Sequence, residues 1–323
     1  MEKILITGIT GQDGIFLSNN LINLNSNIQI IGTTRSNDSQ LFKNRLLKLN
    51  NKNNKNISLI NIDLSNKTEV FEMVNNFKPT SVYNLAGPSS VYGSIDNPKS
   101  STHAIESIFD NLIKSLIQNK NFCNFFQASS SEMFENKSNK AIDESTNFNP
   151  NSPYAKAKLK NHNKAIELAE LYDWNIVSGI MFNHESEFRS KNYLTGKIIN
   201  SAIEIKKGHK SKLEIGSLEY IRDWSFAGDV VEAMTVLLNS DARGSFVIGS
   251  GTGNSIELMA QIVFDYFGLS LNDHVEINSS LLRQGDPVVK VSNPSKILNE
   301  FGWKSKTNFE DLLIRCIEKR ENI

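Results

Sequence analysis

The chain has 323 residues, 39% hydrophobic and 22% charged, with 35 basic against 35 acidic side chains and a formal net charge of zero. That balance argues against disorder and fibre repeats and offers no global attraction to nucleic acid or membrane, so any anion site must be built locally. The length allows one large domain or two smaller ones, and the two cysteines, Cys123 and Cys316, lie far apart without metal-ligand spacing, as expected of buried thiols in a reducing compartment.

Lys3–Thr7 is a short apolar run that stops at Gly8. It starts too early to leave room for a signal peptide, and no apolar run is long enough to span a bilayer, so a cytoplasmic location with no membrane partner is expected. After the glycine loop, Ile15, Leu17, Leu21, Ile22 and Leu24 recur at helical spacing. Strands are expected at Ile28–Gly32, Ile57–Ile62, Ser81–Leu85, Asn124–Ala128 and Ile176–Met181. The helices between them are expected at Val70–Phe77, Ser101–Gln118 and Tyr154–Leu171. This alternation predicts an α/β fold with a doubly wound, Rossmann-like parallel sheet. The Asn-rich stretch Asn50–Asn56 reads as a solvated loop.

Beyond Asn183 the rhythm is irregular, with helices at Leu194–Lys207 and Gly228–Leu238 and a strand at Lys212–Ile215. A late strand, Phe246–Gly249, is expected to return to the main sheet. A helix after Ser255, a strand at Val275–Ile277 and an amphipathic helix from Asn308 complete the chain. The expected division is a dinucleotide-binding domain of residues 1–182, joined by 217–253, and a smaller interleaved substrate lobe of 183–216 and 254–323.

Gly8-Ile9-Thr10-Gly11-Gln12-Asp13-Gly14 sits between the first strand and the first helix. Gly8 permits a tight turn, Gly11 lets backbone approach a pyrophosphate, and Gly14 allows close packing of helix on strand. The helix N-terminus adds free N–H groups and partial positive charge. The second strand ends in Thr33-Thr34-Arg35-Ser36, where an acid would favour NAD; Arg35 suits a 2′-phosphate, so NADP is the expected cofactor. Asp63 and Leu64, after the third strand, are placed to border the adenine, although Asp63 could instead cap the next helix.

Tyr154 and Lys158 lie four apart on one helix, hence on one face. A lysine ammonium beside a phenol stabilises the phenolate and makes it a usable base near neutrality. The fifth strand ends in Ser129-Ser130-Ser131-Glu132. Ser130 can bond the substrate oxygen that Tyr154 deprotonates, and Glu132 adds a carboxylate. Alcohol oxidation needs no such carboxylate, but removing a carbon-bound proton next to a new carbonyl, and so eliminating water, does.

With these residues in view, the chain resembles an extended short-chain dehydrogenase/reductase, and within that group the GDP-mannose 4,6-dehydratase family. The runs that carry the likeness are Thr7–Gly14, Val82–Ala86, Phe126–Ser129, Ser152–Ala155, Phe182–Ser186, Arg222–Trp224 and Phe301–Lys304. The resemblance implies a lyase that reduces and reoxidises NADP in each turnover, acting on a GDP-sugar, with GDP-mannose first choice. It implies cofactor contacts from Thr10, Gln12, Asp13, Leu85, Ala86 and His184 besides the glycines, Arg35, Tyr154 and Lys158. It places Ser89 and Glu132 at the sugar, and Asn183, Lys197, Arg222 and Arg283 at the nucleotide diphosphate.

This sequence departs from the family pattern at Ser130, where the family has threonine, and at Ser90, Ser36 and Gly196, which replace a histidine and two arginines. A dehydratase of another GDP-sugar, such as a GDP-heptose, fits those changes, and a 4-reductase or 4-epimerase on the same fold is the other alternative. No metal is expected, because His184-Glu185 is not part of H-E-x-x-H and the five histidines lack ligand spacing. The basic stretch Lys206–Lys212 lacks interleaved aromatics, so no nucleic-acid partner is expected. The wide apolar arc of Ile105–Ile117 could pair with its copy beside the Tyr154 helix, giving a homodimer or homotetramer.

Overall fold

The computed structural model describes residues 1–35, 39–49, 55–89, 91–134, 139–282 and 285–321. Ser36, Asn50–Asn54, Ser90 and Arg283, each singled out above, lie outside these residues. In chain order the first elements are β1 (Glu2–Thr7), α1 (Gln12–Leu24), β2 (Ile28–Thr34), α2 (Ser39–Lys48), β3 (Ile57–Asn61) and α3 (Lys67–Phe77). They are followed by β4 (Ser81–Asn84), α4 (Val91–Asp96), α5 (Pro98–Gln118), β5 (Asn124–Ser130), α6 (Pro153–Tyr172) and β6 (Ile176–Met181). Then come β7 (Asn183–Glu185), α7 (Leu194–Lys206), β8 (Leu213–Ile215), β9 (Ile221–Phe226), α8 (Ala227–Leu238), β10 (Gly244–Ile248) and β11 (Gly253–Ser255). The last are α9 (Ile256–Tyr266), α10 (Leu271–His274), β12 (Val275–Ile277), β13 (Val289–Lys290), α11 (Ser295–Phe301) and α12 (Phe309–Glu321).

Two compact units result. The first comprises Met1–Phe134, Asn147–Met181 and Val231–Phe246. Its sheet runs β10-β6-β5-β4-β1-β2-β3, and the pairings from β6 to β3 are all parallel. This is the doubly wound order expected from the sequence. The strand order reverses between β1 and β4, which is where such sheets open a crevice at their C-terminal ends. Strands covered by helices on both faces need apolar residues on both, and Ile4, Leu5 and Ile6 are accordingly all buried.

Helix α5 explains its own wide apolar arc. It packs against α3 on one side and α6 on the other, burying Ile105, Phe109, Leu112, Ile113 and Leu116. Each of these large side chains contributes about 1.5–3 kcal/mol relative to exposure. Pro98 at the first turn starts the helix one turn earlier than periodicity alone suggests. Helix α2 escaped the periodicity because only Phe42 and Leu46 are buried on it, in an otherwise polar segment.

The second unit comprises Glu135–Thr146, Phe182–Val230 and Val247–Ile323. Its sheet is built around β9, which pairs with β7, β11 and β13. Helices α7, α9 and α12 share a core of Ile198, Ile199, Trp224, Met259, Phe264, Leu313 and Ile317. The strands β7 and β13 escape the pattern because they are three and two residues long, and β9 because Arg222, Asp223 and Ser225 break its apolar run. Polar bonding explains their burial: Asp223, fully buried, accepts from Ser250 N at 2.9 Å, Gly251 N at 3.0 Å and Ser292 N at 3.2 Å, besides the Ser250 and Ser292 hydroxyls. Trp224 stacks on Phe309 and Trp303 donates its indole N–H to Asp229 O, so both tryptophans are packing residues. Among the described residues no helix is long and apolar enough to cross a membrane.

Candidate active site

The glycine loop leaves β1 at Gly8, whose positive φ of 68° disfavours a side chain and where an added Cβ would fall 3.0 Å from Ala86 Cα. At Gly14 an added Cβ would fall 2.5 Å from the Ile9 backbone, so α1 lies directly against the loop. Gly11 caps α1 without a side-chain bond. Because the cap residue is glycine, no N-cap side chain stands over the first turn of α1, which fits a dinucleotide pyrophosphate. Thr10 Oγ1 lies 3.5 Å from Thr34 Oγ1, and Thr10 O accepts from Arg45 Nη1 of α2 at 3.1 Å. Gln12 donates to Asp13 Oδ1 at 3.3 Å.

A polar seam missed by the sequence reading crosses the strand ends. Thr7 Oγ1 accepts from the N–H groups of Leu85 and Ala86, each at 3.0 Å, and donates to Asn84 Oδ1 at 2.9 Å. Asn84 Nδ2 donates to Gln127 Oε1 at 2.9 Å, and Gln127 Nε2 to Ala128 O at 3.1 Å. The seam thus fixes Leu85 and Ala86 against the loop and ends at the carbonyl that receives Lys158.

Arg35 is exposed at the end of β2. It faces Asp63, whose carboxylate lies below its ordinary range because it accepts from Ser65 N and Ser65 Oγ, at 3.0 and 2.7 Å, with Arg35 adding attraction. Asp63 does not cap α3; Asn66 does, accepting from Thr68 N and Glu69 N. Asn111 of α5 holds the same turn by donating to Leu64 O and Ser65 O.

Helix α6 starts with Ser152 as its cap, accepting from Ala155 N at 3.1 Å, and Pro153 in its first turn. Tyr154, buried, donates its backbone N–H to Ser94 Oγ of α4, itself fully buried. Lys158 Nζ donates to Ala128 O at 2.9 Å and lies 5.8 Å from the centre of the Tyr154 ring. Burial pushes its ammonium down to about 8, partly opposed by the Asp13 carboxylate. β5 ends at Ser130, whose hydroxyl accepts from Glu132 N at 3.2 Å and so starts a short helical turn carrying Glu132. Ser89 is exposed after β4.

The second unit holds Asn183, His184, Lys197 and Arg222. Asn183 and His184 lie on β7 opposite Trp224 and Ser225 of β9, and His184 Nδ1 is 2.7 Å from Phe182 O. Arg222 is buried, paired with Asp286 at 3.0 Å and bonded to Ile221 O and Val288 O. Asp286, which nothing in the sequence pattern marked, therefore orients this guanidinium. Lys197 sits in the first turn of α7, its ammonium lowered by burial and by Lys210 nearby.

A family profile described as GDP-mannose 4,6 dehydratase matches residues 5–316. The chain belongs to the GDP-mannose 4,6-dehydratase family. Membership makes it an enzyme of the NAD(P)-dependent nucleotide-sugar dehydratase and epimerase superfamily. It is 32% identical to GDP-mannose 4,6 dehydratase 2 of Arabidopsis thaliana over 98% of this chain and 86% of that one. It is 30% identical to the Homo sapiens GDP-mannose 4,6 dehydratase over 96% and 88%. Among solved structures, dTDP-glucose 4,6-dehydratase of Bacillus anthracis superposes with a TM-score of 0.85 at 18% identity, covering 100% of this chain and 97% of that one. UDP-glucose 4-epimerase of Thermotoga maritima gives 0.86 at 20%, covering 99% of each. These two likenesses show that dehydratases and epimerases share this family's fold.

Proposed function

We propose that this chain is a GDP-mannose 4,6-dehydratase that turns GDP-mannose into GDP-4-keto-6-deoxymannose, with NADP as its recycled cofactor. The observation that carries the reading is Glu132, presented in the turn that follows Ser130, on the strand whose carbonyl clamps Lys158. A reductase or epimerase has no need of a carboxylate there. The uncapped first turn of α1 would hold the pyrophosphate, and Arg35 the 2′-phosphate. Thr10, Gln12, Asp13, Leu85, Ala86 and His184 would line the rest of the cofactor.

Bound NADP would supply the acceptor for two electrons taken from C4 and later given to C6. Tyr154, as phenolate beside the Lys158 ammonium, would take the proton of the C4 hydroxyl, with Ser130 holding that oxygen. Glu132 would take the proton from C5 and pass it to the C6 hydroxyl, which leaves as water; as C6 is reduced, C5 would regain the proton that Tyr154 took from the C4 hydroxyl, restoring the phenolate. Ser89 would touch the sugar, while Asn183, Lys197, Arg222 and Arg283 bind the diphosphate.

One feature favours a second reading, a dehydratase of another GDP-sugar such as a GDP-heptose. Gly196 leaves no space for a Cβ, since one would fall 2.4 Å from Ser190 O. Incubation with catalytic NADP distinguishes the cases: GDP-mannose should give a 4-keto-6-deoxy product with no net cofactor consumption. Turnover of a GDP-heptose alone would favour the second reading, and stoichiometric use of NADPH would indicate a reductase and refute both.

A further inference from the structure

His162 stands one turn beyond Lys158 and two beyond Tyr154 on the same face of α6, and is 3% exposed. Its Nδ1 lies 2.8 Å from Ser178 Oγ of β6 and 3.1 Å from Ser129 Oγ of β5, and those hydroxyls are 2.8 Å apart. Its Nε2 lies 3.2 Å from Ser245 Oγ of β10. Phe148 closes one side edge-on, its centroid 5.2 Å from the imidazole. Burial pushes the ring down to about 4, so it is neutral near pH 7, with one donor and one acceptor nitrogen for the three hydroxyls. One side chain therefore fastens α6 to three strands of the sheet.

The place of this fastening matters. Ser129 lies between Ala128, whose carbonyl oxygen receives the Lys158 ammonium, and Ser130, whose hydroxyl starts the turn carrying Glu132. A purely apolar residue at 162 would fill the space but remove the bonds by which α6 meets Ser129 of β5 and Ser178 of β6. We propose that His162 is a positioning residue that holds Ala128–Ser130 at a fixed depth against α6, and thereby aligns the Lys158 ammonium and the Ser130 hydroxyl with Tyr154. The inference rests on the assignment of Tyr154 and Lys158 as the catalytic pair.

The test uses the full chain with His162→Leu, which keeps bulk, and His162→Asn, whose amide can reach the place of Nδ1. Acetic anhydride labelling across pH, read by peptide mass spectrometry, reports the titration of Lys158 without any substrate. His162→Leu should move that midpoint by about half a unit or more, and His162→Asn should restore it. In the dehydration assay, His162→Leu should lower kcat about tenfold with KM within about twofold, a split expected of misplaced chemical groups and not of lost binding. Should His162→Leu fail to fold, Ser129→Ala cuts the same link and should give the same two effects.

Unchanged Lys158 titration and unchanged kcat in a folded His162→Leu, or in Ser129→Ala, overturns the proposal. A wild-type chain that dehydrates no GDP-sugar, while Lys158 titration still moves with residue 162, defeats the dehydratase reading and leaves the positioning role standing.

Discussion

The Lys158 ammonium donates to the carbonyl oxygen of Ala128 at 2.9 Å, and that same oxygen accepts the side-chain amide of Gln127 at 3.1 Å. Lys158 is thereby tied to Asn84 and Thr7, and through them to the glycine loop and to the N–H groups of Leu85 and Ala86. The glycine loop and helix α6 are held by one continuous polar seam.

That seam stands in a buried setting, which sets a pH dependence. Lys158 is charged below about 8 and neutral above it, against an ordinary value of 10.5. On the proposed mechanism a Tyr154 phenolate would rely on that ammonium, so activity should fall as pH rises through about 8. Between about 8 and 10.5 the folded state binds fewer protons than the unfolded one at this site, so the same group makes stability rise with pH over that window. Asp13 opposes the depression, so Asp13→Asn should move the alkaline limb of the kcat profile to lower pH. A limb that stays in place or moves upward would falsify the electrostatic link between Asp13 and Lys158.

Glu132→Gln keeps the size of the side chain and removes the base. It should lower dehydration by about 10²–10⁴-fold, the usual worth of a positioned acid or base, with KM for the GDP-sugar little changed. Single-turnover rates and solvent deuterium incorporation at C5 measure this. Full incorporation at wild-type rate would remove Glu132 from the mechanism.

Arg35 is exposed and close enough to Asp63 to help hold its carboxyl below the ordinary range. A charge-assisted bond contributes about 1.5–3 kcal/mol, so Arg35→Ala should weaken NADP about 10–100-fold and leave NAD almost unchanged. Calorimetric titration with both dinucleotides decides it; equal losses would refute a 2′-phosphate contact.

Thr7 is fully buried and its hydroxyl serves three partners. Thr7→Val keeps the shape and strands two N–H groups and an amide oxygen, so it should cost about 2–4 kcal/mol in urea unfolding, whereas Thr7→Ser should stay near wild type. NADP affinity should fall with the valine, because Leu85 and Ala86 lose their anchor. A valine variant as stable as wild type would show that the seam is not what holds them.

The sequence disclosed the parts of this site that are local. The glycine loop and the Tyr154–Lys158 spacing are read within a few residues, and the strands β1 to β6 within their apolar runs. The bonds that join Thr7, Asn84 and Gln127, and those of His162, were invisible for the opposite reason: Thr7 meets Asn84 across 77 positions and Asn84 meets Gln127 across 43, and only the strand order brings them together. Asp286 lies likewise outside any motif, yet it pairs with the buried Arg222. In β9 the Arg222-Asp223 pair looks like surface sequence, and its burial follows from partners that pattern cannot reveal.

Gly196 gives the last test, in the second unit. On α7, directly before Lys197, an added Cβ would fall 2.4 Å from Ser190 O and 3.0 Å from Lys191 Cα. Both are backbone atoms, so the preceding loop would have to move. Gly196→Ala should therefore destabilise by about 1–3 kcal/mol in spite of alanine's better helix propensity, and the displaced first turn of α7 should weaken GDP binding through Lys197. NADP affinity should be unaffected, since the glycine loop is anchored within the first unit. Urea unfolding and titration with GDP and with NADP measure the three effects separately. A stable alanine variant with unaltered GDP affinity would mean that the loop yields freely, and that the family's arginine is missing here for some reason other than space.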